Sequence, residues 1–290
     1  MEDDVYDDDL YEDWLDDEPW SKPARRRGRT GRAGAHRPAI EEAIDEDQDT
    51  AGEAWFDEFF AEGLITGIVR QLKSGKEASV FLCRGNPDKG PDLLVLKAYR
   101  PRAVRRFQDD SMYTHGRVIL NGQIRRAVLK KTGFGRQVEQ AMWMAREHEH
   151  LELLHGAGID VPRPARLGAW GILMEYIGDE YVPAPQLKDV RLEPDQAREM
   201  FDRLIENVEV MLALHLVHGD LSPYNVLVWE GRPVIIDLPQ AVDARTNRNA
   251  HVLLERDLQH LCGYFARHGI KRDARRLADS LWHRYLFAEL

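Results

Sequence analysis

The spacing of apolar positions changes character several times along the chain. Residues 54–65, AWFDEFFAEGLI, carry apolar side chains at helical intervals and predict a short amphipathic helix. Short apolar runs then predict strands at Leu64–Leu72, Ala78–Cys83 and Leu93–Tyr99. The intervening SGKE and NPDKGPD are rich in turn formers. From about Arg136 to His155 the period is helical again, through Val138, Met142, Ala145, Leu151 and Leu154, and Gly156 and Gly158 end it. Two more strands are expected near Ala165–Leu167 and Ile172–Tyr176. From Pro194 onward the pattern is mostly helical, broken by a hairpin-like stretch at Val226–Asp237. Five strands with one inserted helix, followed by helices, predict an α+β chain of two lobes. The N-lobe is expected over about 54–177 and the C-lobe over about 178–290.

Residues 1–50 have no such rhythm. They hold 17 acids and 7 bases, in blocks: acidic over 1–18, basic over 22–37 (KPARRRGRTGRAGAHR), acidic over 41–49. Subtracting them from the 50 acids and 40 bases of the whole chain leaves 33 of each, so the net charge of −10 resides in this tail. Its apolar residues are too sparse to offset the entropy of ordering, and the tail is expected to be disordered. The basic run suits RNA or an acidic partner; the alternative is a tail whose blocks attract each other and bind nothing in particular. The body, 51–290, is neutral, and hydrophobic residues make up 43% of the whole chain, enough for a real core.

Cys83 and Cys262 lack metal-ligand spacing and read as buried thiols in a reducing compartment. No apolar run approaches the roughly 20 residues of a membrane helix. The acidic N-terminus is unlike a secretory or mitochondrial leader, and a cytoplasmic location is expected.

Candidate chemistry lies in HGDLSPYNVLVWEGRPVIIDLPQAVD, residues 218–243. Asp220 and Asp237 are seventeen positions apart, with Asn225 between them. Phosphoryl transfer from a nucleotide needs a lysine on a rigid strand, an acid to hold that lysine, oxygen ligands for Mg²⁺, and a carboxylate to orient the acceptor hydroxyl. Each requirement is met in order along the chain. Lys97 lies in the apolar run LLVLKAY, where a lone ammonium is costly unless paired or solvent-facing. Glu147 lies on the predicted helix. Glu149 is two positions on, about 200° around a helix, so only one of the two can face the strand.

At this point the chain resembles the RIO family of atypical serine/threonine protein kinases, nearest to that family's first branch. The matching pieces are SGKEASVF, VLKAY, WMARE, AGIDVPRP, LMEYIG, HGDLSPYN, IIDLPQAV and ERDLQHLCGYF, in the family's order over about residues 60–270. The resemblance implies a two-lobed protein-kinase-like fold, with a small N-lobe sheet, one main helix and a reduced helical C-lobe. It implies ATP with Mg²⁺, or Mn²⁺, as cofactors. SGKEAS stands where ordinary protein kinases have G-x-G-x-x-G, Gly219 where they have the Arg of H-R-D, and Asp237-Leu238-Pro239 where they have D-F-G. The run from 105 to 136 resembles that family's flexible insertion.

On this resemblance Asp220 is the base that orients and deprotonates the acceptor. Asn225 and Asp237 are the metal ligands, and Asp237 is also a candidate to accept the phosphoryl group as an acyl-phosphate. Lys97 contacts the phosphates and Glu147 fixes it; the bland alternative is a strand lysine snorkelling to an edge. Ser74, Lys76 and Ser79 belong to the nucleotide loop, or to an ordinary hairpin turn. Met174, Glu175 and Ile177 form the hinge that meets adenine. His218 supports the loop. Asp257 either holds that loop from below or lies on a helix surface. Pro223 stands where the family is expected to have an acidic residue, which puts the loop's contact with a protein substrate in question.

The expected activity is phosphorylation of serine or threonine in a protein substrate or in the chain itself. RIO relatives imply a second reading, an ATPase switch in ribosome-related assembly, for which the 22–37 run would meet a ribosomal particle or RNA. HGDLSPYN followed by IID also fits a small-molecule phosphotransferase of the aminoglycoside or choline kinase type. SGKEASVF, the insertion after Lys97 and Pro239-Gln240 argue for the RIO-like kind.

Overall fold

The computed structural model describes residues 55–75, 78–100, 130 and 132–290. The tail at 1–50, most of the insertion and Lys76 lie outside the described residues. Among those described, α1 (Asp57–Ala61) leads into β1 (Ile65–Ser74), β2 (Ala78–Gly85) and β3 (Leu93–Tyr99). The long helix α2 (Gly133–Gly156) follows, then β4 (Pro164–Leu167) and β5 (Gly171–Glu175). These strands form one antiparallel sheet in the order β1-β2-β3-β5-β4. The helix expected over 54–65 is shorter than predicted: Gly63 turns the chain at φ +64, and the strand starts two residues later.

Alternation along β3 gives the sheet two different faces. Leu94, Leu96 and Ala98 pack with Trp55, Phe56, Phe59 and Phe81 in a cluster on the α1 side. Tyr99 belongs to the larger core that includes Met144, Leu151 and Leu154 of α2, and Val95 packs against that core. Lys97 points the same way as Val95 and Tyr99.

The C-lobe begins with a 3-10 turn at Leu187–Asp189 and helix α3 (Pro194–Ala213). Glu193 and Gln196 form a capping box at the start of α3, and Pro194 occupies its first turn. Next come β6 (Leu216–Val217), the hairpin β7 (Val226–Trp229) and β8 (Arg232–Ile235), and β9 (Val242–Asp243), which pairs back with β6. The hairpin turns at Glu230 (φ 50) and Gly231 (φ 78), two left-handed residues as a tight two-residue turn requires. Helices α4 (Ala250–Ala266) and α5 (Ala274–Leu286) complete the described chain. Phe201 of α3 meets Phe265 of α4 edge-on, ring centroids 5.3 Å apart.

A polar cluster ties α2 to the C-lobe. Asp160, four residues past α2, accepts from Arg203 Nε at 2.5 Å and Asn207 Nδ2 at 2.9 Å, both on α3. Its other oxygen is 3.2 Å from Arg232 of the hairpin, and its carbonyl accepts the Ile235 N–H at 2.7 Å. Burial opposes ionisation of Asp160, but the hydrogen bonds from Arg203 and Asn207 override it and hold the carboxyl below its ordinary range. No described helix is long and apolar enough to cross a membrane.

Candidate active site

The buried stripe of α2 runs through Gln140, Met144, Glu147, Leu151 and Leu154. Of the expected apolar positions Leu151 and Leu154 lie on it, whereas Val138, Met142 and Ala145 are half-buried beside it; two polar residues, Gln140 and Glu147, take their place, and each has a partner. Gln140 donates to the Tyr99 carbonyl at 3.2 Å, and Glu147 accepts from Lys97 Nζ at 2.8 Å. Glu149 is exposed, so of the two glutamates Glu147 is the one that faces β3. Lys97 Nζ also donates to Asp237 Oδ1 at 2.6 Å. One ammonium from the sheet therefore joins a helix acid to an acid just beyond β8. Burial would lower the pKa of Lys97, but the charges of Asp237 and Glu147 reverse that and hold it protonated. Asp237 has φ +68, a left-handed conformation that aspartate tolerates better than most residues. Its side chain is 48% exposed and opens to the cleft. Desolvation by the atoms around it opposes its ionisation, but the charge and hydrogen bond of Lys97 outweigh that and hold the carboxyl below its ordinary range.

The loop between β6 and β7 carries Asp220, and α4 holds it from beneath. Asp257 is buried and accepts the N–H of Gly219 at 2.8 Å and of Leu221 at 2.9 Å. The surface-helix alternative for Asp257 is thereby overturned. Its burial pushes its pKa up to about 7, against the two N–H donors. Arg256 donates to the Gly219 carbonyl, and His260 Nδ1 lies 3.2 Å from the Leu221 carbonyl. Gly219 sits at φ +81, which explains glycine between His218 and Asp220. His218 is buried, with Nε2 3.1 Å from the Ile236 carbonyl and Nδ1 accepting the Asp220 N–H. Burial lowers its pKa to about 4, so it is a neutral strut that joins the Asp220 loop to the strand leading to Asp237.

Asn225 donates its amide hydrogens to the Asp220 carbonyl at 2.8 Å and to Asp220 Oδ2 at 3.0 Å. Its backbone carbonyl accepts the Ile236 N–H at 2.9 Å. The planar amide thus turns its oxygen away from Asp220. Burial raises the pKa of Asp220, and the charge of Asp237 adds to the shift. The donor set suits a hard divalent cation: Asp237 and Asn225 offer a carboxylate and an amide oxygen, the ligands Mg²⁺ takes alongside phosphates and water. No cluster of three or more His, Cys, Asp or Glu able to hold a metal occurs among the described residues.

The other expected site residues are placed as follows. Ser74 and Ser79 face each other at the last β1–β2 pair, and both hydroxyls accept from Arg100. Met174 and Glu175 end β5, the Glu175 carboxylate accepts the Arg163 N–H, and the Ile177 carbonyl accepts from Ala184 N–H. Pro223 is buried and its carbonyl accepts the Lys188 N–H, so the segment before α3 braces the Asp220 loop.

A family profile described as the RIO domain matches residues 80–277, more than half of the chain. The chain belongs to the RIO family. It is 33% identical over 224 residues to the RIO-type serine/threonine-protein kinase Rio1 of Haloferax volcanii, covering 76% of this chain and 69% of that protein. It is 36% identical over 208 residues to the corresponding protein of Methanocaldococcus jannaschii, covering 70% of this chain and 64% of the relative. The human serine/threonine-protein kinase RIO1 is 31% identical over 209 residues, 72% of this chain but 35% of the human protein. This RIO chain is an atypical protein kinase, and such kinases use ATP with a divalent metal. The family match decides against the small-molecule alternative that HGDLSPYN had left open. The two-lobed fold expected from the RIO resemblance is the one observed.

Residues that the sequence reading missed are those that support others. Arg100 lay in no motif, and Arg256 stood in ERDLQHLCGYF without a role assigned to it. Asp160 offered a weak signal, an acid between the buried Ile159 and Val161.

Proposed function

We propose that the cleft binds ATP with Mg²⁺, Mn²⁺ being the alternative, and transfers the γ-phosphoryl group to a serine or threonine hydroxyl of a protein, including this chain itself. One observation carries the reading: Lys97 bridges Glu147 and Asp237 while Asn225 holds Asp220 across the same loop. Lys97 neutralises phosphate charge, and Glu147 fixes its ammonium. Asp220 orients the acceptor hydroxyl and takes its proton as the oxygen attacks. Its raised pKa makes it a better proton acceptor than an ordinary aspartate. Asn225 and Asp237 would hold the metal, which would supply charge neutralisation for the phosphates. The Met174–Ile177 hinge would receive the adenine, with Glu175 and Ile177 offering backbone groups.

Asp220→Ala is expected to lower transfer from γ-labelled ATP by about a thousandfold, within the range for a lost general base, while ATP binding persists. Undiminished autophosphorylation of that variant would overturn the assignment. Label that survives hydroxylamine is expected on phosphoserine or phosphothreonine; label released by hydroxylamine and lost in Asp237→Asn would be an acyl-phosphate on Asp237.

A second reading has its own observation. Between Asp237 and α4 lie only residues 238–249, and part of that stretch, β9, pairs with β6. This leaves little chain for a peptide-docking platform and favours an ATPase switch in ribosome-related assembly, with the 22–37 run on RNA. Free phosphate released mainly in the presence of ribosomal particles would support it.

A further inference from the structure

The nucleotide loop of this chain has one glycine, Gly75, where the usual protein-kinase loop has three. Glycines let backbone approach phosphate but leave a loop with more entropy to lose. The structure shows a different device at the neck of this loop. Ser74 and Ser79 form the last cross-strand pair before the turn, and the Gly75 N–H donates to the Ala78 carbonyl at 2.9 Å. Tyr99 pairs with Ala78 from the other side, which places Arg100 beside that neck. The Arg100 guanidinium donates from one nitrogen to Ser74 Oγ at 2.7 Å and Ser79 Oγ at 3.0 Å, and Nε reaches Ser79 Oγ at 3.3 Å. Ser79 is only 1% exposed, so its hydroxyl depends on a protein partner.

We propose that Arg100 is a positioning residue for nucleotide binding, clasping Ser74 and Ser79 so that the two strand ends flanking the nucleotide loop are held at a fixed spacing for the triphosphate. This deepens the proposed function and rests on its placing of ATP in the cleft. The two serines then serve the phosphates through the guanidinium and not by direct contact. The chemistry favours a clasp. A planar fork with fixed donors can tie two hydroxyls on two strands at once, whereas a lysine offers a point charge on a flexible stem. Fixing the two strand ends beforehand removes an entropic cost from binding.

The test measures ATP and adenosine binding, together with the KM for ATP and kcat of autophosphorylation, on the full chain. Arg100→Ala and the double variant Ser74→Ala/Ser79→Ala are each expected to raise the Kd and KM for ATP about tenfold, the scale of losing charge-assisted hydrogen bonds. Adenosine binding and kcat should stay within about twofold. Arg100→Lys should recover only part of the loss. Combining all three substitutions should add nothing, because one clasp is broken once. Additive losses, equal weakening of adenosine, or unchanged ATP affinity would each overturn the clasp. Should Arg100→Ala fail to fold, Ser74→Ala alone removes one arm at an exposed position and must still weaken ATP selectively. Lys97→Ala serves as the reference. If it loses the preference for ATP over adenosine while the Arg100 and serine variants keep it, the clasp alone fails. If it too keeps the preference, the nucleotide reading fails with it.

Discussion

Two polar clusters in this chain are built from similar groups and end with opposite balances of charge. At Asp160 a single carboxylate meets two arginines and an asparagine, and its backbone is hydrogen-bonded as well. In the cleft, among the described residues, Lys97, Lys73 and Arg256 face Glu147, Asp220, Asp237 and Asp257. The pKa directions record the difference. Asp160 is held below the ordinary range, while Glu147, Asp220 and Asp257 are all pushed above it by burial. A cluster that only joins elements closes its own charge. The cleft keeps an excess of negative charge, which suits a divalent cation and leaves one carboxylate basic enough to take a proton.

The sharpest way to break this contrast is to remove the shared cation. Lys97→Met is expected to lower kcat/KM for phosphoryl transfer by at least about a hundredfold, the scale of losing a preorganised electrostatic group. Retention of most activity in a steady-state assay would show that the cleft cluster is structural after all.

Asp160→Ala should do the reverse. Losing charge-assisted hydrogen bonds is expected to destabilise the fold by about 2–3 kcal/mol. That lowers Tm by roughly 5–10 °C in a domain of this size. The kcat of the folded protein should change less than about threefold, a shift below 1 kcal/mol in barrier. A large kcat loss with unchanged Tm would place Asp160 in the chemistry.

A smaller effect is expected from pH. The folded His218 titrates at about 4 instead of 6.5, so between those values the unfolded chain binds more protons and stability rises with pH. The folded Asp257 titrates at about 7 instead of 3.8, so across that window the folded chain binds more protons and stability falls as pH rises. The two slopes oppose each other between about pH 4 and 6.5. Denaturant titrations of Asp257→Asn should reveal the rising slope, and those of His218→Gln the falling one. Parallel curves for both variants would refute the pairing.

The smallest effect belongs to Glu149→Gln, an exposed change expected to stay within about 0.5 kcal/mol in stability and twofold in activity. A loss comparable to that of Glu147→Gln would mean that the helix presents the other face.

Much of the scaffold was legible because it follows from local periodicity. The strand at Leu93–Tyr99 was expected with the bounds it has, and α2 differs by a few residues at its start. The bridge strands β6 and β9 were not foreseen. Each is two residues long and exists only because the partner lies across the fold. The candidate site was legible where chemistry is written as spacing. Asp220, Asn225 and Asp237 are close in sequence, and Lys97 stood out as a charge in an apolar strand.

By itself, the sequence determined the two-lobed α+β plan, the division between a charged tail and a neutral body, and the residues proposed for phosphoryl transfer. Tertiary structure alone decided which residues hold them in place. Glu147 was chosen over Glu149 by the phase of α2 against β3, Asp257 was drawn beneath the loop by two backbone N–H groups, and Arg100 was set across two strands. Each choice depends on contacts between residues far apart in the chain, and local pattern carries no record of those distances.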